Sequence, residues 1–159
     1  MSKTLVAYFS CSGITEEAAK RLAAAAKADL YKIEPKTPYT DADLDWNDRN
    51  SRSSIEMRDF SFRPEIVGGV HNMASYDTVF VGFPIWWYVA PNIIKTFLES
   101  YDFTGKTLIS FATSGSTGIE KADAVLQAFC KSPKWKSGKL LNTMTDADLA
   151  DWVKELGLL

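Results

Sequence analysis

Three uninterrupted apolar runs constrain this chain more than any other feature. They are Leu5-Val6-Ala7-Tyr8-Phe9, Thr78-Val79-Phe80-Val81-Gly82-Phe83 and Lys106-Thr107-Leu108-Ile109-Ser110-Phe111. A strand with one wet face alternates polar and apolar residues, whereas a strand covered on both faces does not. Each run is followed by a stretch with helical spacing. Thr15 to Lys27 brings Ala18, Leu22, Ala25 and Ala26 to one face. Pro91, a good first helical residue, leads into Ile94, Phe97 and Leu98, and the third run is followed by Ala122, Val125, Leu126 and Phe129. Two weaker strands are expected at Asp29 to Glu34, which alternates like an edge, and at Lys139 to Asn142. A final helix follows, with Thr145 at its N-cap, Asp148 three residues on, an apolar face of Leu149, Trp152, Val153 and Leu156, and Gly157 at its end. Strand and helix in alternation imply right-handed crossovers, hence an α/β doubly wound sandwich with helices on both faces of a parallel sheet.

The totals narrow the reading further. At 159 residues, a single domain spanning 1–159 is expected. No apolar stretch reaches membrane-spanning length, and Met1-Ser2-Lys3-Thr4 runs into the first strand without a signal-peptide pattern, so a cytoplasmic protein is expected. A formal net charge of −2 does not suit a nucleic-acid binder. Lys131, Lys134, Lys136 and Lys139 form a local basic run that reads as a solvated loop. Cys11 and Cys130 have no metal-ligand spacing, so no metal site is expected and both read as reduced thiols. Pro35 to Val70 breaks the rhythm, being long, polar and mixed in charge. A short helix near Asp41 to Arg49, an extended stretch and a second short helix around Pro64 to Met73 are expected there, and long insertions of this kind are often lids or binding loops. The single histidine, His71, reads as a surface residue.

In an open α/β sheet, ligands sit beyond the carboxyl ends of the strands where the strand order reverses. Three loops should meet there. The first, Ser10, Cys11, Ser12, Gly13, Ile14 and Thr15, joins a strand to a helix N-terminus without any cationic side chain. Unpaired backbone N–H groups and the helix dipole bind a phosphate there, and the hydroxyls of Ser10, Ser12 and Thr15 add donors. Such a cradle suits a phosphate that is held and never transferred. A cysteine-nucleophile phosphatase needs an arginine six positions after its cysteine, and here that position is Glu17, which would repel the phosphoryl oxygens. Neither GxxxxGK[ST] nor GxGxxG is present. The second loop, Gly82 to Pro91 with Pro84, Ile85, Trp86, Trp87 and Tyr88 at its centre, cannot bury three adjacent aromatics, so at least one ring should face a cleft and offer a platform to a planar ligand. The third, Thr113, Ser114, Gly115, Ser116, Thr117 and Gly118, is small and polar, with backbone groups free to meet a flat polar edge. Taken singly, each loop also reads as an ordinary turn.

With these residues together, the chain resembles the flavodoxin-like FMN-binding family, small flavodoxins and flavodoxin-fold quinone reductases, along nearly its whole length. "SCSGIT" is similar to the family's phosphate loop, "GFPIWWYVAPNIIKTFLE" to its isoalloxazine loop and following helix, and "FATSGSTGI" to its third flavin loop. The resemblance implies a five-stranded parallel sheet of order 2-1-3-4-5 and FMN as cofactor. It implies that Ser10 to Thr15 hold the phosphate, that the backbone of Pro84 to Tyr88 with the Trp87 ring meets the isoalloxazine, and that Thr113 to Gly118 contact its pyrimidine side. The redox chemistry would belong to the cofactor, and no side chain is expected to be catalytic. With no cation near the ring, its potential should be low. The implied partner is a small-molecule redox substrate, a nicotinamide or a quinone, or a redox partner protein. Two departures favour a reductase. Electron-carrying flavodoxins are strongly acidic, which steers them to basic partners, and this chain is near neutral. They also usually stack an aromatic from the third loop on the outer flavin face, and here that loop has none, although Trp46, Phe60 or Tyr88 could cover the face instead. A one-electron carrier is the alternative, and no residue favours a particular oligomeric state.

Overall fold

The apolar runs become the central strands because helices cover both of their faces. The computed structural model describes residues 3–115 and 117–158. In chain order the elements are β1 (Thr4–Tyr8), α1 (Ile14–Ala26), β2 (Asp29–Lys32), β3 (Glu34–Pro35), α2 (Arg52–Met57), β4 (Ile66–Val67), β5 (Thr78–Pro84), α3 (Asn92–Glu99), β6 (Thr107–Thr113), α4 (Glu120–Phe129), β7 (Lys134–Leu140) and α5 (Asp146–Glu155). The main sheet is ordered β2-β1-β5-β6-β7, and its neighbours pair in parallel throughout. Counted within that sheet, the order is the expected 2-1-3-4-5. Successive residues of each central strand go to opposite layers. Leu5, Ala7, Val79, Val81 and Leu108 join one core with Ile94 and Phe97 of α3 and Leu126 of α4. Val6, Tyr8, Phe80, Ile109 and Phe111 join the other with Leu22 of α1 and Leu149 and Trp152 of α5. At Gly82 the sheet permits no side chain, since a Cβ there would overlap the Phe111 ring.

The last two elements correct and complete the sequence reading. The fifth strand runs from Lys134 to Leu140, starting earlier than the expected Lys139, so Lys134 and Lys136 join Lys139 on a strand and do not lie in a loop. β7 is an edge, and lysines there disfavour pairing with a further strand. Its register shifts between Ile109 and Phe111, where buried Asp123 accepts from Ser110 Oγ (2.7 Å) and from the Gly138 N–H (3.1 Å). α5 carries the expected capping box of Thr145 and Asp148, and Gly157 follows it at φ 78°. Pro91 is the N-cap of α3, one position before its first helical residue. No described helix is long and apolar enough to cross a membrane.

The 35–70 excursion differs most. The helix expected near 41–49 is replaced by turns: Asp45 Oδ1 accepts from the Asn47 N–H (3.0 Å), and Asp48 Oδ1 from the Asn50 N–H (2.9 Å). Short acidic side chains that bond their own backbone compete with helix in this way. The helix starts later, where Ser51 caps α2. The one expected around 64–73 is replaced by β4, which pairs antiparallel with β3, and by a 3₁₀ turn at Met73–Ser75. Gly68, at φ 75°, breaks any helix between them. α2 is tied down by side chains: Asn92 Nδ2 donates to the carbonyls of Glu56 (2.8 Å) and Asp59 (2.9 Å), and Arg52 Nε (2.8 Å) and the Tyr39 hydroxyl (2.5 Å) donate to the buried Glu56 carboxylate.

Candidate functional site

The carboxyl ends of β1, β5 and β6 carry the three loops to one edge of the sheet, and Thr113 joins them. Its hydroxyl shares a 2.7 Å hydrogen bond with that of Thr15 in the first loop. Its carbonyl accepts from the Ile85 N–H of the second, at 3.1 Å. The third loop is closed by Ser114 Oγ, which accepts from the Thr117 N–H (2.9 Å), and by Asn142 Nδ2, which donates to the Ser114 carbonyl (2.9 Å).

In the first loop Gly13 stands at φ 90° ahead of α1, and no side chain caps that helix. The first intrahelical bond runs from the Glu17 N–H to the Gly13 carbonyl. The N–H groups of Ile14, Thr15 and Glu16 therefore have no acceptor within the helix. Ser10 Oγ accepts from the Gly13 N–H (3.2 Å), which keeps its own hydroxyl hydrogen free. Ser12, Gly13 and Ile14 are exposed, while Thr15 is buried. Two carboxylates lie in the first turn, but Glu16 is drawn away by the Tyr8 hydroxyl (2.9 Å) and flanked by Lys32 (3.7 Å) and Lys20 (3.8 Å). The Tyr8 hydrogen bond, then Lys20 and Lys32, hold the Glu16 carboxyl below its ordinary range. Cys11 packs on the core, and burial pushes its thiol up to about 12 against the pull of nearby Arg52. It is a thiol at neutral pH and not an activated nucleophile.

The second loop is a tight two-residue turn. Trp86 and Val89 exchange backbone hydrogen bonds of 2.9 and 3.1 Å, and Trp87 and Tyr88 between them have φ values of 47° and 71°. Positive φ at both central positions is the type I′ geometry normally given to Asn and Gly. Holding aromatics there costs about 1–2 kcal/mol per residue. The turn separates the three rings. Trp86 points to the core, edge-on to Phe9 and Tyr39 at centroid distances of 5.8 and 5.5 Å. Trp87 and Tyr88 stand out at 42% and 60% exposure.

These rings border a cleft of about 530 Å³. Ile85, Trp86, Trp87 and Tyr88 form one wall, Ser114, Gly115 and Thr117 another, and Leu44, Trp46 and Ser53 of the excursion a third. Among the other expected site residues, Ser12, Gly13 and Ile14 line a separate hollow of about 340 Å³ with Glu17, Arg21 and Asn142, so a carboxylate and a guanidinium both border it. Pro84 ends β5, and Thr113 is buried as the joint. Gly118 borders a hollow on the far side of the third loop, beside Lys139 and Trp152. Ser116 lies outside the described residues. Trp46, 70% exposed, stands at the cleft, whereas the Phe60 ring lies under the Lys95 ammonium at 4.9 Å, away from it. Leu44 and Ser53 carried no sequence signal beyond belonging to a long insertion. The loops themselves carry no cation, but Lys121 of α4 approaches the Tyr88 ring at 5.8 Å.

The family model for flavodoxin matches residues 3–156. The chain belongs to the flavodoxin family. This flavodoxin-family chain is similar to solved structures of two Bacteroides proteins described as candidate flavoproteins. The one from Bacteroides eggerthii is 47% identical, with 99% of each chain covered and a TM-score of 0.96. The one from Bacteroides uniformis is 50% identical, with 96% of this chain and 98% of that one covered and a TM-score of 0.93. A flavoprotein from Lactobacillus acidophilus, solved in complex with FMN, shares the fold at 22% identity, with 96% and 99% covered and a TM-score of 0.74. No curated protein matches the chain. The cofactor of the family is FMN. The donor set fits it: an uncapped helix end with free hydroxyls for a phosphomonoester, and exposed rings on a rigid turn for a flat heterocycle.

Proposed function

We propose that this flavodoxin-family protein is a small FMN-dependent reductase that takes electrons from a nicotinamide and delivers them to a quinone-type acceptor. FMN supplies the redox chemistry when bound. The hydroxyls of Ser10 and Ser12 and the N–H groups of Ile14, Thr15 and Glu16 would hold its phosphate. Trp87 and Tyr88 would orient its ring and exclude water from one side. The observation that carries the reductase reading is the opposite wall. The third loop offers Ser114, Gly115 and Thr117 and no aromatic, so nothing there stacks over a bound ring. A second flat molecule therefore has room to approach between that wall and Trp46.

One observation favours the carrier reading. Glu120, Asp148, Asp151 and Glu155 border the hollow beside the third loop, an acidic patch that would steer a basic partner protein. The two readings separate in one assay. FMN-loaded protein is mixed without oxygen with NADH or NADPH and a soluble quinone, and nicotinamide absorbance is followed. Steady oxidation without a helper protein is expected. No oxidation of either nicotinamide, together with fast single-electron exchange with a basic redox protein, would replace the reductase by the carrier.

A further inference from the structure

We infer that Ser53, contributed by the excursion and not by the three sheet-edge loops, is a hydrogen-bonding residue for the ring system of the flavin; this rests on the FMN-binding reading above. Ser53 is 2% exposed, its Oγ has no hydrogen-bond partner among the described residues, and it lines the aromatic cleft beside Trp46 and Trp86. A buried hydroxyl without a partner is unfavourable, and folded proteins rarely retain one without a use. Ser53 stands in the first turn of α2, where no carbonyl of the helix lies one turn back to accept from it. Its backbone is nonetheless fixed: its N–H donates to the Asp43 carbonyl at 2.9 Å, and Ser51 and Asn92 secure both ends of α2. The residue is thus held at the wall of a cleft sized for an aromatic ligand, with its oxygen closed to solvent in the empty protein. Meeting a ring heteroatom requires a change of χ1 rotamer.

The position within the cleft also says which part of the ligand it serves. The phosphate donors lie on the first loop, which does not line this cleft, so Ser53 should contribute equally to FMN and to riboflavin. A purely structural serine would behave differently. Its removal would destabilise the empty protein and leave affinity to follow stability. An orphan hydroxyl waiting for a ligand gives opposite signs: without it the empty protein loses an unsatisfied group, and the complex loses a bond.

The test is Ser53→Ala, read by quenching of flavin fluorescence for both ligands and by thermal unfolding of the empty protein. The expected result is a Kd raised roughly threefold to tenfold for FMN and riboflavin alike, the worth of one net hydrogen bond. The melting temperature of the empty protein should be unchanged or higher. Ser53→Thr, which keeps a hydroxyl, should recover part of the affinity. Equal affinities for wild type and Ser53→Ala, with both binding flavin, would overturn this inference alone and assign the hydroxyl to a trapped water. A lower melting temperature in Ser53→Ala would also overturn it, by showing a structural role. Wild-type protein that takes up neither flavin would overturn the cofactor reading and this inference with it.

Discussion

Trp87 is the residue whose removal tests the cleft most directly, because two different physical effects can be separated at its position. Its ring is 42% exposed, which for a tryptophan is on the order of 100 Å² open to a ligand. A flat ring covering about half of that would contribute ~1.3 kcal/mol at ~25 cal/mol per Å². Offset stacking adds about 0.5–1.5 kcal/mol. Trp87→Ala should therefore weaken FMN by about 2–3 kcal/mol, roughly 30- to 150-fold in Kd. Trp87→Gly removes the same ring but also relieves a backbone held at φ 47°. Relief of about 1–2 kcal/mol, less about 0.4–1 for the looser unfolded chain, leaves the glycine variant some ~0.5–1 kcal/mol more stable than the alanine one. The assays are FMN fluorescence titration for affinity and urea unfolding of the empty protein for stability. Unchanged affinity in both variants would mean that the ring does not meet the flavin. Equal stability of the two would refute the strained two-residue turn.

Gly82→Ala should destabilise the protein by about 1–3 kcal/mol in urea, since the added methyl overlaps a fully buried Phe111 ring. Adding Phe111→Leu should recover part of that, and a strictly additive pair would refute the contact. Ser12→Ala should weaken FMN more than riboflavin, which has no phosphate, and equal losses would remove Ser12 from the phosphate cradle. The folded Cys11 thiol, pushed up to about 12, keeps its proton where the unfolded thiol, at about 8.5, has lost it. Its share of stability is full below pH 8.5 and falls as pH rises toward 12, because the folded state binds the extra proton. Iodoacetamide should accordingly label Cys11 far more slowly in the native protein than in urea at pH 8, and rapid native labelling would refute the burial argument.

The parts of this protein legible in its sequence are those where one residue pattern admits one environment. Leu5–Phe9 and Thr78–Phe83 read as strands covered on both sides, and Thr145 with Asp148 reads as a helix start, as the structure has them. The strand order came from the resemblance to a family and not from the strands. The excursion was not legible, because Asp and Asn at 41–50 serve turns as readily as a first helical turn; Asp45 and Asp48 bond their own backbone, while α2 after them is held by Asn92, far away in sequence. β7 was misplaced for a related reason: an edge strand with lysines on it has the composition of a loop. The aromatic loop announced a cleft, but only the I′ turn decided that Trp86 turns inward while Trp87 and Tyr88 stand out. Ser53 had no signature, since a serine in a polar insertion becomes informative only once its hydroxyl is seen to lack a partner.

The two halves of the cleft are built by different forces, and this bears on what each can do. The sheet-edge half is set by a hydroxyl and a backbone hydrogen bond through Thr113 and by strands buried on both faces, so its geometry is fixed before any ligand arrives. Preorganised walls suit a cofactor that stays bound, since little ordering remains to be done on binding. The excursion half has two parts: Ser53 sits on the buried α2, tied down around Glu56, whereas Leu44 and Trp46 sit on turns whose residues are mostly exposed. Segments with few buried contacts open at lower free-energy cost than core strands do. If the chain admits a second flat molecule over its flavin, the wall that yields to it is the one carrying Leu44 and Trp46.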